Sequence, residues 1–278
     1  MGQATDIESK LKDYLSHYNA DVGIAAQYFT NGETIIVNDD SCYPMQSVYK
    51  FPLAMALLHQ VDQGRFSFDQ EIEVKRSELL PDTWSPLREK YGMKDIRIKL
   101  KEIIEYTITF SDNNGCDILF RLLGGTAEVE QYVKNLGVEN MNIVATEEEM
   151  HADWTIQFSN CSQPYAMLKL LEIFYSGKVL SEKSHKFLWE IMAVKKFGMK
   201  RIQGKLPESF VVAHKTGTSG TNDEGIAAAT NDAGIVVTPE NNAFGIVVYV
   251  SNSADEIEVR EEIIADVSKM IWEEFSAK

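Results

Sequence analysis

The sequence has few of the residues and segments that mark several broad protein classes. Of its 278 residues only 3 are cysteine and 7 are proline, so neither a disulfide-stapled scaffold nor a proline-rich linker is indicated. No apolar run approaches the length of a membrane span, and we expect no membrane partner. The 5 histidines form neither an H-x-H nor an H-E-x-x-H pattern, so a zinc hydrolase is unsupported.

Positive charge is also scarce, with 27 lysines and arginines against 42 acidic residues and a formal net charge of −15. A surface this acidic repels phosphate backbones, so we expect no nucleic-acid partner. The odd number of cysteines leaves at least one thiol free. We expect Cys42, Cys116 and Cys161 to be small buried hydrophobic residues.

Hydrophobic residues make up 44% of the chain, enough for a substantial core. Apolar periodicity predicts a first helix near residues 7–18, then a hairpin of strands 22–29 and 34–37 with Asn31-Gly32 at its turn. Further helices are predicted at 47–63, 100–108, 114–123, from an N-cap at Thr126 to 137, from Pro164, from a cap at Ser181, and at 256–275. Further strands are predicted at 210–215, 225–229, 234–237 and 244–250. Residues 145–162 show neither the helical nor the strand periodicity and indicate a long loop, a kind of segment that is often functional.

Strands therefore come from both ends of the chain and helices from its middle. This order predicts an α/β (α+β) fold in which an antiparallel sheet, flanked by helices, is built from both termini. Residues 1–42 and 194–278 would form the α/β lobe, and residues 43–193 an inserted all-α lobe. We expect the active site between the lobes, where clefts form.

The first motif with chemical potential is Ser47-Val48-Tyr49-Lys50 at the start of a predicted helix. Residues three apart share a helix face, so the ammonium of Lys50 can reach the hydroxyl of Ser47. A serine becomes a strong nucleophile when a base takes its proton, and N–H groups at the helix start stabilise an oxyanion. The spacing alone is weak, because Ser9 and Lys12 share it and Ser47 can equally be an N-cap.

The second motif is Ser111-Asp112-Asn113, directly before a predicted helix. Ser111 can relay a proton and Asn113 can hold a substrate amide. The alternative is an N-cap cluster, because serine, aspartate and asparagine all favour that position.

The third motif is Lys215-Thr216-Gly217-Thr218 at the end of a predicted strand. The lysine and the hydroxyls suit a carboxylate, Gly217 allows close approach to the strand, and Thr218 can give a second oxyanion N–H. The alternative is a solvated lysine beside a turn.

These motifs occur in the order and local structures typical of penicillin-recognising serine enzymes, which the chain resembles. The resemblance to class A β-lactamases spans nearly the whole chain. It implies that Ser47 is the nucleophile, that Lys50 or a glutamate is the acylation base, and that Ser111 passes a proton to the leaving nitrogen. Asn113, Lys215, Thr216 and Thr218 would bind substrate.

Class A enzymes also carry a glutamate on a loop between the second and third motifs, where it activates water for deacylation. By its distance from Ser111, the resemblance assigns this role to Glu147, with Glu148 and Glu149 as alternatives. Four residues later, where the family usually has asparagine, this chain has His151. It either helps position the water or anchors the loop.

Two more residues are assigned by the resemblance. Trp84 falls where the family has an aromatic at the cleft mouth, and Arg201 can replace the family's arginine on the strand after Lys-Thr-Gly, unless it is a surface residue. These departures resemble the extended-spectrum cephalosporinase branch that includes the CblA, CfxA and PER enzymes.

The resemblance implies a serine β-lactamase that confers antibiotic resistance by hydrolysing cephalosporins and penicillins, without metal or organic cofactor. We expect a monomer that is periplasmic or secreted, its signal peptide removed. A D-alanyl-D-alanine peptidase and a non-catalytic penicillin sensor share the first three motifs and remain the alternatives.

Overall fold

The computed structural model describes residues 6–277, so the chain start that bears on the expected signal peptide lies outside it. A five-stranded antiparallel sheet forms its centre, in the order β2-β1-β9-β8-β7. The strands are β1 Asp21–Tyr28, β2 Thr34–Val37, β7 Val211–Thr218, β8 Ala227–Val237 and β9 Ala243–Ser253. The predicted α/β fold, with a sheet supplied by both ends of the chain, is confirmed.

Ten α-helices within residues 6–277 pack on the two faces of this sheet and beside it. Their bounds are α1 Asp6–Leu15, α2 Lys50–Asp62, α3 Pro86–Tyr91, α4 Leu100–Thr109, α5 Asn113–Leu123, α6 Thr126–Asn135, α7 Glu147–Ala152, α8 Pro164–Tyr175, α9 Glu182–Met192 and α10 Ile257–Ser276. One core, shared by α1, α10 and one face of the sheet, holds apolar residues such as Leu11, Val248 and Ile271. The other face packs on the helices of the middle segment. No helix in the described part of the chain is long and apolar enough to cross a bilayer.

Two strands predicted at 225–229 and 234–237 are one strand, β8. The residues between them, Thr230, Asn231 and Asp232, suggested a break because they are polar. All three are fully buried. The Asn231 side chain donates to the carbonyls of Pro44 and Met45, and Asp232 lies 2.8 Å from Nδ1 of His214, so tertiary contacts stabilise a polar stretch within a central strand.

The middle segment is not purely helical. It contains a two-stranded sheet of β4 Glu71–Val74 with β5 Ile96–Lys99, and a second of β3 Tyr43–Pro44 with β6 Cys161–Ser162. The predicted Thr126 cap is wrong, because Gly125 holds the N-cap position and Thr126 is already helical. The lobe boundaries at 42/43 and 193/194 stay a prediction.

The expectation that all three cysteines are isolated hydrophobic residues is wrong for two of them. Cys42 and Cys161 form a disulfide, with their Cα atoms 5.4 Å apart. The pairing of Pro44 with Cys161 between β3 and β6 brings them together across 119 residues of sequence, a separation that hides the bond from sequence analysis. Cys116 is free and buried, as expected.

Candidate active site

Ser47 lies in a 3-10 helix, Gln46–Tyr49, that precedes α2, so the α-helix begins three residues later than expected. A 3-10 turn still places residues i and i+3 above one another, so Ser47 and Lys50 share a face. Gln46, immediately before Ser47, has φ of 48°, a left-handed conformation that is uncommon outside glycine. Ser47 is not an N-cap, since Met45 caps the 3-10 helix and Tyr49 caps α2.

Lys50 connects three of the predicted site residues. Its side chain is fully buried, and its Nζ donates to the carbonyl of Ser111 at 2.9 Å and to Oδ1 of Asn113 at 2.6 Å. The same Nζ lies 2.9 Å from Oε1 of Glu147, a buried ion pair. An ammonium this deeply buried is stable only with such partners, so Lys50 fixes the positions of Ser111, Asn113 and Glu147 relative to one another.

In the second motif, Asp112 has a structural role, whereas Ser111 and Asn113 contact the buried lysines. Asp112 is the N-cap of α5, since its carboxylate accepts from the N–H of Gly115 at 2.7 Å, so the capping alternative is correct for this residue. Ser111 has φ of 57°, and its hydroxyl faces Lys215 instead of the helix. Asn113 reaches Lys50 and also donates to Oγ1 of Thr83 at 2.9 Å.

Lys215 is buried at the edge strand β7, so the solvated-lysine alternative does not apply. Its Nζ donates to Oγ of Ser111 at 3.0 Å and to the carbonyl of Thr216 at 2.9 Å. Burial, followed by the nearby charge of Lys50, lowers the pKa of Lys215 to about 7. The Ser111 hydroxyl therefore contacts a lysine whose charge changes near neutral pH.

Gly217 lies directly against the Ser47 turn. A Cβ on this residue would lie 2.4 Å from the carbonyl oxygen of Met45 and 3.2 Å from the backbone nitrogen of Ser47. Only glycine lets β7 pass this close, which brings the backbone of Thr218 near that of Ser47.

Arg201 is not a surface residue, because only 4% of it is exposed. It donates to the carbonyls of Gly217 and Asn231 and, at 2.7 Å, to Oγ1 of Thr218, while its Nε pairs with Glu261. Arg201 thus lies behind β7 and contacts the cleft through Thr218.

The three consecutive glutamates lie in different surroundings at the start of α7. Glu147 is 9% exposed and pairs with Lys50, whereas Glu148 and Glu149 are exposed. Glu149 accepts from the N–H of Thr146 in a capping box. The segment predicted as an irregular loop therefore contains a short helix that directs Glu147 alone toward Lys50.

Three anchors of this segment were not predicted. Asp117 on α5 accepts from the N–H groups of Glu147 and Glu148 at 2.8 and 2.9 Å. Burial and the charge of Glu147 raise its pKa to about 7. Asn160 bonds to both N–H and C=O of Ala145, and Gln157 accepts from the Gln46 side chain at 2.6 Å. The only signal for Asp117 in the sequence is an acid within a mostly apolar helix.

A cleft of about 350 Å³ opens beside these groups. It is lined by Asn113, Glu147, His151 and Thr218, and His151 is exposed within it. Trp84 is 52% exposed and its indole N–H donates to the carbonyl of Phe110. Among residues 6–277 no group of three or more histidine, cysteine and acidic side chains has a geometry suited to a metal ion.

Comparison with known proteins assigns a family to this geometry. The β-lactamase enzyme family matches residues 6–275. The chain is 42% identical to β-lactamase VEB-1 from Pseudomonas aeruginosa over 97% of this chain and 90% of that protein. It is 35% identical to extended-spectrum β-lactamase PER-1 from the same organism, over 98% and 88%.

Among solved structures, the TLA-1 extended-spectrum β-lactamase is 46% identical with a TM-score of 0.96, and the match covers 98% of this chain and 99% of that one. The likeness to PER-1 agrees with the branch that the motifs indicated. The chain belongs to the β-lactamase enzyme family, as one of its class A members.

Proposed function

We propose that this class A β-lactamase opens the lactam amide of cephalosporins and penicillins through an acyl-enzyme on Ser47. The observation that carries the proposal is the contact of one buried ammonium, that of Lys50, with Ser111, Asn113 and Glu147. That contact supports the proposal, because it joins the predicted proton relay and the predicted deacylation base to a lysine three residues from Ser47, and acylation followed by deacylation requires these groups.

Acylation begins with loss of the Ser47 hydroxyl proton. Lys50 takes it directly when its amine is neutral, its own proton then being on Glu147, or Glu147 as a carboxylate takes it through a water molecule. Because Nζ of Lys50 lies 2.9 Å from Oε1 of Glu147, a proton can pass between the two groups. Ser47 Oγ bonds to the lactam carbonyl carbon, and the N–H groups of Ser47 and Thr218 stabilise the oxyanion.

Breaking the lactam C–N bond requires a proton on the leaving nitrogen. Ser111 gives its hydroxyl proton to that nitrogen and regains one from the ammonium of Lys215, which contacts its hydroxyl. Lys50 donates to the Ser111 carbonyl and Lys215 donates to its hydroxyl, so both lie at the relay.

Deacylation uses Glu147 as the base that activates water. Its burial and its ion pair distinguish it from Glu148 and Glu149. His151 lines the same cleft, which supports a role for it in positioning that water.

The substrate carboxylate binds to Lys215, Thr216 and the hydroxyl of Thr218, which Arg201 orients. Asn113 holds the side-chain amide, and Trp84 borders the cleft mouth. Since PER-1 and TLA-1 are named extended-spectrum enzymes, we include cephalosporins with bulky side chains among the substrates.

The test is mass spectrometry alongside absorbance, with a chromogenic cephalosporin in excess. Many turnovers with little lasting adduct are expected, and Ser47→Ala gives neither adduct nor hydrolysis. A D-alanyl-D-alanine peptidase or a penicillin sensor instead gives one stable adduct per chain. A covalent adduct on the Ser47→Ala protein would move the nucleophile elsewhere.

We also propose that the enzyme works as a monomer in the periplasm or outside the cell. All the groups named above come from one chain, and the Cys42–Cys161 disulfide suits an oxidising compartment. Sedimentation and cell fractionation test both points.

A further inference from the structure

A narrow recess lies beside the residues that we assign to the substrate carboxylate. Ser111, Lys215 and Thr216 form one wall, residues 191–192 at the end of α9 form another, and Val194 and Phe197 flank it. The recess holds about 20 Å³, room for a single water, so a larger group lies against its rim instead of inside it.

The rim is apolar and exposed. Phe197 is 38% exposed and Val194 is 43% exposed. The Phe197 ring contacts that of Phe110 edge to face, with centroids 6.4 Å apart, and the Nζ of Lys196 lies 4.2 Å from the centre of the Phe110 ring. Phe110 also stacks on Tyr106, with centroids 5.0 Å apart, so three neighbours hold the ring of this residue, which directly precedes Ser111.

The covalent structure of a cephalosporin determines which of its groups can reach this rim. Their carboxylate is on C4 of the six-membered ring, and the adjacent C3 carries a variable substituent. Because C3 is bonded to C4, a substituent on C3 of a cephalosporin whose carboxylate is held by Lys215 and Thr216 lies close to the recess that these two residues share with Val194 and Phe197. In penicillins, two methyl groups occupy the ring atom next to the carboxylate-bearing carbon.

We propose that Phe197, with Val194 beside it and the Phe110 ring behind it, is a subsite for a flat, uncharged aromatic substituent at C3 of cephalosporins. The subsite makes the enzyme discriminate among cephalosporins by that group. The inference rests on the proposed function, because it uses the orientation of a substrate whose carboxylate is at Lys215.

The test compares two cephalosporins with the same C7 side chain, one with a methyl and one with a styryl group at C3. In the Phe197→Ala protein the ratio of the styryl KM to the methyl KM rises by about 3- to 10-fold, the range of an aromatic contact, with little change in the ratio of the two kcat values. Phe197→Tyr keeps the ring and restores the wild-type ratio. Met199→Ala removes a side chain of the same segment that is 39% exposed and outside the recess, and leaves the ratio unchanged.

An unchanged KM ratio in the Phe197→Ala protein overturns the inference, as does an equal change in the Met199→Ala protein. Benzylpenicillin, which has no C3 ring substituent of this kind, separates this failure from failure of the proposed function. Loss of the subsite leaves Ser47-dependent penicillin hydrolysis measurable, whereas failure of the proposed function removes Ser47-dependent turnover of all three substrates.

Discussion

At the scale of single residues, Glu147 differs from its two neighbours by its surroundings and not by its chemistry. All three are glutamates, but Glu147 alone is buried against Lys50. Glu149 is used to cap the helix. A run of acids usually indicates a solvated surface, so burial is the property that assigns a base.

Replacing Glu147 by alanine should trap the acyl-enzyme. Loss of a general base slows deacylation by about 10²- to 10⁴-fold, so the adduct on Ser47 accumulates and is seen as a mass increase. The matched control is Glu148→Ala, which removes an exposed carboxylate one residue away and keeps wild-type turnover. Rapid turnover by the Glu147→Ala protein would assign the base elsewhere.

Lys215 should give the enzyme an alkaline limit. Its pKa is lowered to about 7, so the free enzyme loses the lysine charge as the pH rises through that value and binds the substrate carboxylate less well. We expect kcat/KM to fall above about pH 7. A bound substrate carboxylate favours the charged form of Lys215 and raises its pKa. We therefore expect kcat to fall at a higher pH than kcat/KM does.

The control for this pH dependence is Lys215→Arg, which stays charged throughout the range. Its activity is lower because the guanidinium has a different shape, but its kcat/KM should show no fall between pH 7 and pH 9. If kcat/KM of the Lys215→Arg protein falls above pH 7 as it does in the wild type, the titration of another group causes the fall.

At the scale of elements, the short helix α7 depends on a carboxylate from another helix. Asp117 accepts from the N–H groups of the first two residues of α7, which include Glu147. The orientation of the base is therefore fixed from outside its own segment.

Asp117→Asn should slow deacylation more than acylation. The amide keeps one acceptor oxygen but loses the second acceptor, and above the carboxyl pKa of about 7 it also loses the charge, a loss of about 1–2 kcal/mol at this partly buried site. We expect deacylation about 10-fold slower and faster hydrogen exchange at the amides of Glu147 and Glu148. Arg121→Ala, which changes a half-exposed charge on the same helix, is the control and should alter neither quantity.

Much of this element structure follows from the sequence, because α4, α5 and the terminal helices have periodic apolar faces, α2 is an apolar run that stops before Gly64, and α8 opens at Pro164. The elements that were missed are short or polar. Strands β3 and β6 have two residues each, and α7 has three acids in its first turn. Local pattern cannot reveal these, since long-range contacts stabilise them.

The site residues also divide into those that the sequence named and those that it missed. Motif order predicted Ser47, Lys50, Ser111 and Lys215 as site residues. Lys50 and Lys215 both contact Ser111, and Ser47 lies three residues before Lys50. The anchors Asp117, Asn160 and Gln157 were missed, because a polar side chain that anchors a segment and one that faces solvent look alike in a single sequence. Arg201 was named, but its position behind Thr218 depends on the packing of residues 201–205 against α10 and was not foreseeable.

At the scale of the whole molecule, the Cys42–Cys161 disulfide closes a loop of 119 residues that contains most of the helical segment. Chain-entropy arguments give such a bond about 4–5 kcal/mol of stability. We expect reduction to lower the Tm by on the order of 10 °C for a chain of this size.

The measurement is thermal unfolding with and without dithiothreitol. The double variant Cys42→Ser, Cys161→Ser should unfold at the temperature of the reduced enzyme and should not respond to the reductant. Since Cys116 is unchanged in that variant, a remaining response would come from it.

The buried ammonium of Lys50 also links the recovery of activity to the completion of folding. Its partners lie at residues 111, 113 and 147, so no segment shorter than residues 50–147 contains all of them. A refolding chain passes through species whose helices have formed while this charge still lies in water. Recovered hydrolysis should therefore lag behind the far-ultraviolet circular dichroism signal, and partly folded material should contribute helix content without turnover.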